Sequence, residues 1–553
     1  MMHVLRTAKV WALVALVLGA GVPAGARQAQ PAPAAQAAAG PQGPAPVDRY
    51  VVGQALPPSE PGTTLLDLTL EQAMEMALEK NLDLKAARLT PQTVDYQLQA
   101  ARAAFTPRLQ GTYGYNNQSR PNNSSILDPT LTSVNTINQQ FNSSLNQTLP
   151  FHGATYNVTF NNSRQGTNSL QTPRSPAYNT SLTANLSMPL LAGFLADNTR
   201  NTLKTTAIQR QIADVQLTAT IENTKSQVRV AYWNLKQAIE QIEIGQRALD
   251  LANRLYQDNQ IKVEIGTLAP IDTVQSEAQV ASAEQALLAA RIGWQTAELN
   301  LKRLLASGPD DDVYKRTINP TEQAILTVQA VDIPAAVRNA LDQRTDLVQS
   351  RKNIEISQLN LEVTKDQTKP DLSFNTQYQL SGLGGPIRTV QGGQIISITP
   401  GGYVDALGQI RGLDLPTWSM NFSFAYPLGM RAAKANYARA LLQFDQSQAT
   451  LKAQELNVAS AVTNSGLAVE NTHKQYLAAQ KNREAQERNA EAEQTRFDVG
   501  MSTNYNVVQA QNNLTTARLS ELRALISYLN AVAEFERVQR VGGNGGGGNA
   551  GGQ

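Results

Sequence analysis

The chain has 553 residues, 41% of them hydrophobic and only 17% charged, with a formal charge of +2, three histidines and no cysteine. The near-zero charge excludes a nucleic-acid binder, which needs a basic field. The missing cysteine excludes disulfides, thiolate metal sites and an N-terminal cysteine carrying a lipid. His3, His152 and His473 lie far apart in the sequence, and no acid, base or nucleophile clusters near them. No catalytic, cofactor-binding or metal-ligating group is therefore expected, and the chain reads as something other than an enzyme.

Met1 to Ala26 reads as a secretory signal, with His3, Arg6 and Lys9 as its basic region, Val10 to Ala20 as its apolar run and Ala24-Gly25-Ala26 as the cleavage site. The apolar run is shorter than the roughly 20 residues that a spanning helix requires. Mass measurement of the mature protein is expected to place its N-terminus near Arg27 with no attached lipid; an acylated product or an intact Met1 would contradict this. Residues 27–64 form a linker rich in Ala, Pro and Gln, too poor in large apolar residues to fold alone. Residues 542–553, almost all Gly and Asn, read as a disordered tail.

Between these ends the chain is written twice. At a shift of 263, Ala77-Leu78 falls on Ala340-Leu341, Asp83-Leu84 on Asp346-Leu347, and Pro107-x-Leu109 on Pro370-x-Leu372. At a shift of 238, Met188-Pro189-Leu190 falls on Tyr426-Pro427-Leu428. At a shift of 234, Gly266 to Leu304 falls on Gly500 to Val538, with Trp294 on Tyr528. The first copy thus carries 25 extra residues between its proline landmarks. One repeat spans 65–307 and the other 328–541, joined by a link at 308–327 that contains Gly308-Pro309 and Asn319-Pro320.

Each copy opens with helical periodicity, over Thr69 to Ala104 and Ile333 to Lys365. Alternation with period two follows. Phe105, Leu109, Tyr113 and Tyr115 stand opposite Arg108, Gln110, Thr112 and Asn116; Leu372, Phe374, Tyr378 and Leu380 stand opposite Ser373, Asn375, Gln377 and Gln379. The returning strands set Tyr178, Leu182, Leu186 and Met188 against Asn179, Ser181, Thr183, Asn185 and Ser187, and Trp418, Met420, Phe422 and Phe424 against Ser419, Asn421 and Ser423. No Asp, Glu, Lys or Arg occurs in 109–118, 178–196, 372–387 or 415–430. Uncharged polar residues facing an aromatic-rich apolar side point to a barrel with lipid outside and a hydrated lumen inside. In the extra segment Phe141 to Leu149 and Tyr156 to Phe160 also alternate, around Phe151-His152-Gly153, so further strands or an outer loop are both open there.

After each returning strand proline disappears, from Leu190 to Ala269 and from Leu428 to the C-terminus. Segments near 70 residues at 1.5 Å rise predict helices of roughly 100 Å, which only coiled-coil packing accommodates. Asp250/Arg254, Asp258/Lys262 and Glu484/Arg488 are spaced for pairing along a solvated helix face. Gly266 and Gly500 end the long helices, and returning helices are expected over Asp272 to Ala306 and Asn506 to Val541. The fold class is therefore mixed α+β, with two strand–strand–long helical hairpin units.

The sequence resembles the TolC-type outer-membrane efflux protein family over nearly the whole mature chain. The carrying residues are Leu68-Thr69-Leu70-Glu71-Gln72-Ala73, the strand landmarks Pro107-x-Leu109, Pro370-x-Leu372, Pro189-Leu190 and Pro427-Leu428, and above all the tips Gly266-x5-Asp272-x-Val274-Gln275 and Gly500-x5-Asn506-x-Val508-Gln509. The resemblance implies a homotrimer whose 12-strand-type outer-membrane β-barrel continues into a periplasmic α-helical coiled-coil barrel. It implies passive export in a tripartite efflux or type I secretion system, with a periplasmic adaptor and an inner-membrane transporter as partners. It also implies a gate at the tip, at Gly266, Asp272, Gln275, Phe497, Gly500, Ser502, Asn506 and Gln509. Asp272 matches an acid that helps lock that gate, Ser502 falls where a member has its basic partner, and Phe497 where it has a tyrosine. Asn506 and Gln509 stand where such a member has ring carboxylates. Asp272 reads equally well as the N-cap of the returning helix. The alternative function is a soluble periplasmic coiled-coil adaptor or structural protein, which should carry charged strand faces.

Overall fold

The computed structural model describes residues 55–58, 64–122, 131–323, 331–391 and 394–542. The signal, most of the linker and all but the first residue of the tail lie outside the described residues.

The first repeat starts with strand β1 (Thr64–Leu68) and helices α1 (Leu70–Lys80) and α2 (Leu82–Ala103), where the periodicity predicts one helix. Thr69 and Gln72 form a capping box at the start of α1. The break falls at Asn81, whose side-chain oxygen accepts the Leu84 N–H at 2.9 Å and so begins α2. Strands β2 (Arg108–Pro121), β3 (Ser133–Thr148), β4 (Thr155–Thr167) and β5 (Ala177–Pro189) follow, then the 67-residue α3 (Asn198–Glu264) and the returning α4 (Pro270–Leu305). The link between repeats holds α5 (Asp312–Lys315) and β6 (Arg316–Pro320).

The second repeat begins with α6 (Ile333–Gln343) and α7 (Thr345–Asp366), again two helices in place of one, broken at Arg344. Strand β7 (Asp371–Gly384) leads to a small hairpin of β8 (Ile387–Gln391) and β9 (Gln394–Thr399), then to α8 (Tyr403–Gly412) and β10 (Pro416–Ala425). The 68-residue α9 (Arg431–Asp498) and the returning α10 (Asn504–Arg540) complete it.

Six strands form one antiparallel sheet in the order β10-β7-β5-β4-β3-β2. Two strands per repeat would give four. The extra segment of the first repeat supplies the other two, β3 and β4, as strands of the same sheet. The reason is the alternation around Phe151-His152-Gly153, where His152 and Gly153 take positive φ (51° and 62°) and turn the hairpin. Helix α8 lies against β7 and β5 at the far end of the sheet. Gly382 makes the approach possible, because a Cβ there would collide with the Ala406 carbonyl oxygen.

In the helical part α2 and α4 both pack on α3, α7 and α10 both pack on α9, and α10 also packs on α3. The short helices meet end to end. The Asn81 amide donates to the Leu304 carbonyl at the end of α4, at 3.1 Å. In the second repeat the Arg344 guanidinium donates to the Val538 carbonyl near the end of α10, at 3.0 Å. Asn81 and Arg344 correspond at the shift of 263, Leu304 and Val538 at 234, so one joint is made twice by different donors. Both donors are buried, and each satisfies a carbonyl that a helix end leaves open. Arg344→Ala is expected to cost about 1–3 kcal/mol, by stranding that carbonyl and a buried site. Thermal unfolding of the detergent-solubilised variant followed by circular dichroism checks it, an unchanged midpoint being the contrary result.

The repeats are tied together at the same level. β1 pairs in parallel with β6 from Thr64–Arg316 to Leu68–Pro320. The Tyr232 hydroxyl on α3 donates to the Leu68 carbonyl and accepts the Glu322 N–H, both at 2.9 Å, and its burial pushes the phenol up to about 12. The second hairpin holds a charge network that the first lacks. Arg483 reaches Glu487 and Glu521 at 2.9 Å each, and Arg518 reaches Glu487 at 3.1 Å. Burial pushes the Glu521 carboxyl up, and the Arg483 guanidinium opposes that shift. At the shift of 234 the first hairpin has Leu249 and Leu287 in place of Arg483 and Glu521. The exposed pairs expected along the helices, Asp250/Arg254, Asp258/Lys262 and Glu484/Arg488, do not form; Lys262 lies instead over the Phe497 ring, 3.9 Å from its centroid.

Candidate functional site

The strand register gathers the apolar alternates of all six strands on one face. Phe422 pairs with Phe374 and Trp418 with Tyr378. Leu182 pairs with Leu380 on one side and Phe160 on the other. Leu145 pairs with Val158 and Leu109, and Phe141 with Tyr113. Much of this face is open in the single chain, with Trp418 70% exposed, Phe422 69% and Leu109 74%, while α8 covers its far end, where Tyr403 lies against Tyr178 and Ala406 against Gly382. The opposite face lines up Gln110, Thr112 and Asn116 with Asn142, Ser144, Asn157, Thr159, Thr183, Asn185, Asn375, Gln377, Ser419 and Asn421. Neighbours on it hydrogen-bond along strands, as in Gln377 to Gln379 at 3.2 Å and Thr159 to Asn157 at 2.6 Å, and across them, as in Asn157 to Asn146. The six strands hold four charged residues, Arg108, Arg120, Arg164 and Asp371, all at or near strand ends. Among the described residues no helix is long and apolar enough to cross a membrane.

At the opposite end of the long helices, two turns are built alike. Gly266 (φ 78°) and Gly500 (φ 79°) take the left-handed conformation. Thr267 N–H then reaches back to Lys262 O, and Met501 N–H to Arg496 O, at 2.8 Å each, the six-to-one bond of a Schellman cap. Asp272 is not an N-cap. Ala269 caps α4 and Pro270 takes the first helical position, so Asp272 sits two residues further into the first turn, where its charge favours the helix dipole. Gln275, Asn506 and Gln509 are exposed. Ser502 donates to Glu493 at 2.8 Å and accepts from Asn506 at 3.4 Å, and Gln509 donates to Asn513 at 3.0 Å. Phe497 is buried against Leu255 and Val507 under the Lys262 ammonium.

The strongest tip contact involves residues that the sequence patterns do not single out. Asn259 on α3, Ser276 on α4 and Asn504 on α10 are each at most 1% exposed. The Asn259 amide donates to Ser276 Oγ at 2.6 Å and to Asn504 Oδ1 at 2.8 Å. Asn504 in turn donates to the Asp272 carbonyl at 3.4 Å. One hairpin is thereby latched to the other, while Asn259 Oδ1 is buried without a partner. Their signal was phase: Asn259 continues the buried stripe Ala252-Leu255, and Asn504 begins the stripe Val507-Ala510-Leu514, so each puts an amide where a core residue belongs.

A family model described as outer membrane efflux protein matches residues 73–159, 154–307 and 336–538, well over half of the chain. No match was found among curated protein sequences. Among solved structures, the Campylobacter jejuni CmeC outer membrane channel is 17% identical, with 85% of each chain covered and a TM-score of 0.60. The Vibrio cholerae outer membrane protein VceC is 13% identical, covering 85% of this chain and 95% of that one, at a TM-score of 0.60. The open state of the Neisseria gonorrhoeae MtrE outer membrane channel is 16% identical, covering 89% and 95%, at 0.56. At such identities the likeness carries the fold.

Proposed function

Because the chain belongs to the outer membrane efflux protein family, a family of channels, we propose that it is the outer-membrane duct of a tripartite efflux or type I secretion system. Three copies close a barrel in the outer membrane and continue it as a helical tunnel in the periplasm. Cargo delivered by an inner-membrane transporter and a periplasmic adaptor passes through without chemical change. The observation that carries this reading is the sheet, apolar on one face and uncharged polar on the other, fused to helices of 67 and 68 residues. At 1.5 Å per residue those helices reach about 100 Å from the membrane.

The tip is the gate. Opening it requires the two hairpins of a chain to part, and the amides of Asn259 and Asn504 hold them together. Exposed Ile265, Ile271, Val499 and Met501 around the two turns present an apolar rim for the adaptor. Replacing Asn259 and Asn504 together by leucine removes the latch and leaves neither amide unpaired. Conductance in planar bilayers is expected to rise several-fold over the unmodified protein, with unchanged membrane assembly. Equal conductance of the two proteins would remove the latch from the gating account.

A further inference from the structure

We infer that all six strands of each chain enter the barrel, with β2 of one copy pairing to β10 of the next, so that the trimer closes as an eighteen-stranded barrel. The inference rests on the trimeric channel reading above and goes beyond it in strand number, seam and bore.

The sheet ends on two strands, β2 and β10, whose outer edges have no partner among the described residues. An open edge cannot stand in hydrocarbon, where every backbone N–H and C=O must be satisfied. One chain cannot close the gap alone. Six strands are fewer than the eight of the narrowest membrane barrels, whose interiors side chains already fill. The edges therefore need a second copy. Because six is even, β2 and β10 run in opposite directions, and β2 beside a neighbour's β10 continues the antiparallel order. The contact is head to tail, the kind that closes into a ring.

The faces agree as well. Leu109, Tyr113 and Tyr115 of β2 lie on the same side of the sheet as Trp418, Met420, Phe422 and Phe424 of β10. Thr112 and Asn116 share the other side with Ser419, Asn421 and Ser423. Pairing across the seam extends both the apolar band and the polar lining without a break.

The girth of six strands is compatible with the helical part. At about 4.8 Å between strands and a tilt near 40°, six strands span an arc of about 38 Å. Each chain also carries four helical tracks: α3, α9, α2 running on from α4, and α7 running on from α10. At roughly 9 Å between helix axes these span about 36 Å. Four strands would span about 25 Å by the same spacing. With six, the barrel is about half as wide again as a twelve-stranded one, and its polar face carries charge only at its ends, at Arg108, Arg120 and Asp371.

The chain lacks cysteine, so the seam can be mapped with introduced pairs. Thr112→Cys is combined in turn with Ser419→Cys, Asn421→Cys or Ser423→Cys, oxidised in outer membranes, and resolved by denaturing electrophoresis. Strands are counted by electron cryomicroscopy of the detergent-extracted particle. A covalent ladder up to three chains with at least one pair, and eighteen strands in the particle, is expected. A three-chain particle with twelve strands, β3 and β4 lying outside the wall, would overturn the inference and leave the channel reading standing. A particle of some other number of chains would overturn both, and crosslinks confined within single chains would overturn the seam.

Discussion

Phe422→Asp and Leu186→Asp should each abolish most of the protein's accumulation in the outer membrane, while Ser423→Asp and Ser187→Asp should leave it nearly unchanged. Phe422 and Leu186 lie on the apolar face, opposite Phe374 and Thr376. A charge facing lipid near the midplane costs up to a few kcal/mol. Phe422→Asp also loses a ring contact with Phe374, at 5.1 Å between centroids, worth about 1 kcal/mol more. In a three-fold assembly each cost is incurred three times. Ser423 and Ser187 are adjacent in sequence yet on the opposite face, paired with Ser373 and Asn375, where water solvates an added carboxylate. Quantifying the four variants in outer-membrane fractions decides the point. Equal tolerance on both faces would mean that the sheet does not face lipid.

The second large effect concerns ions at the tip. The unmodified channel should be blocked only weakly by divalent or trivalent cations from the periplasmic side, and Asn506→Asp with Gln509→Asp should introduce strong block and raise cation preference. Asn506 and Gln509 are exposed on the first turns of α10, where their side chains donate to Ser502 and Asn513. Amide oxygens without charge compete poorly with water for a strongly hydrated ion. Carboxylates crowded around a narrow pore focus the field and hold such an ion. Asp272 contributes less than its charge implies, because it sits in the first turn of α4 beside the helix dipole. Single-channel recording with cation titrated on one side at fixed ionic strength reads the effect. Strong block of the unmodified protein that the double substitution leaves unchanged would place the ring elsewhere.

The sheet was the most legible part of this molecule, because a water-facing strand rarely alternates over ten residues without a single charge. Even β3 and β4 were readable in Phe141 to Leu149 and Tyr156 to Phe160; only their membership of the sheet was not, since register is a tertiary fact. The helix breaks at Asn81 and Arg344 were hidden for another reason. Neither is a proline or glycine, and each ends a helix because its side chain finds a carbonyl more than 190 positions away in sequence. At the tip, the glycines were legible from the turn they enforce. The latch was not, because Asn259, Ser276 and Asn504 belong to three different helices and only packing brings them within hydrogen-bond reach. Charge was the least transferable signal: Lys262, spaced to pair with Asp258, covers Phe497 instead.

Extraction followed by reconstitution tests most directly whether this chain forms the proposed trimeric outer-membrane pore. Membranes are fractionated, the protein is released with detergent, its native mass is measured, and the same preparation is added to planar bilayers. Recovery from the outer membrane only with detergent, a mass of three chains, and discrete ion-conducting steps are expected. A protein released from the periplasm without detergent, with a mass other than three chains and no conductance, would contradict the proposal.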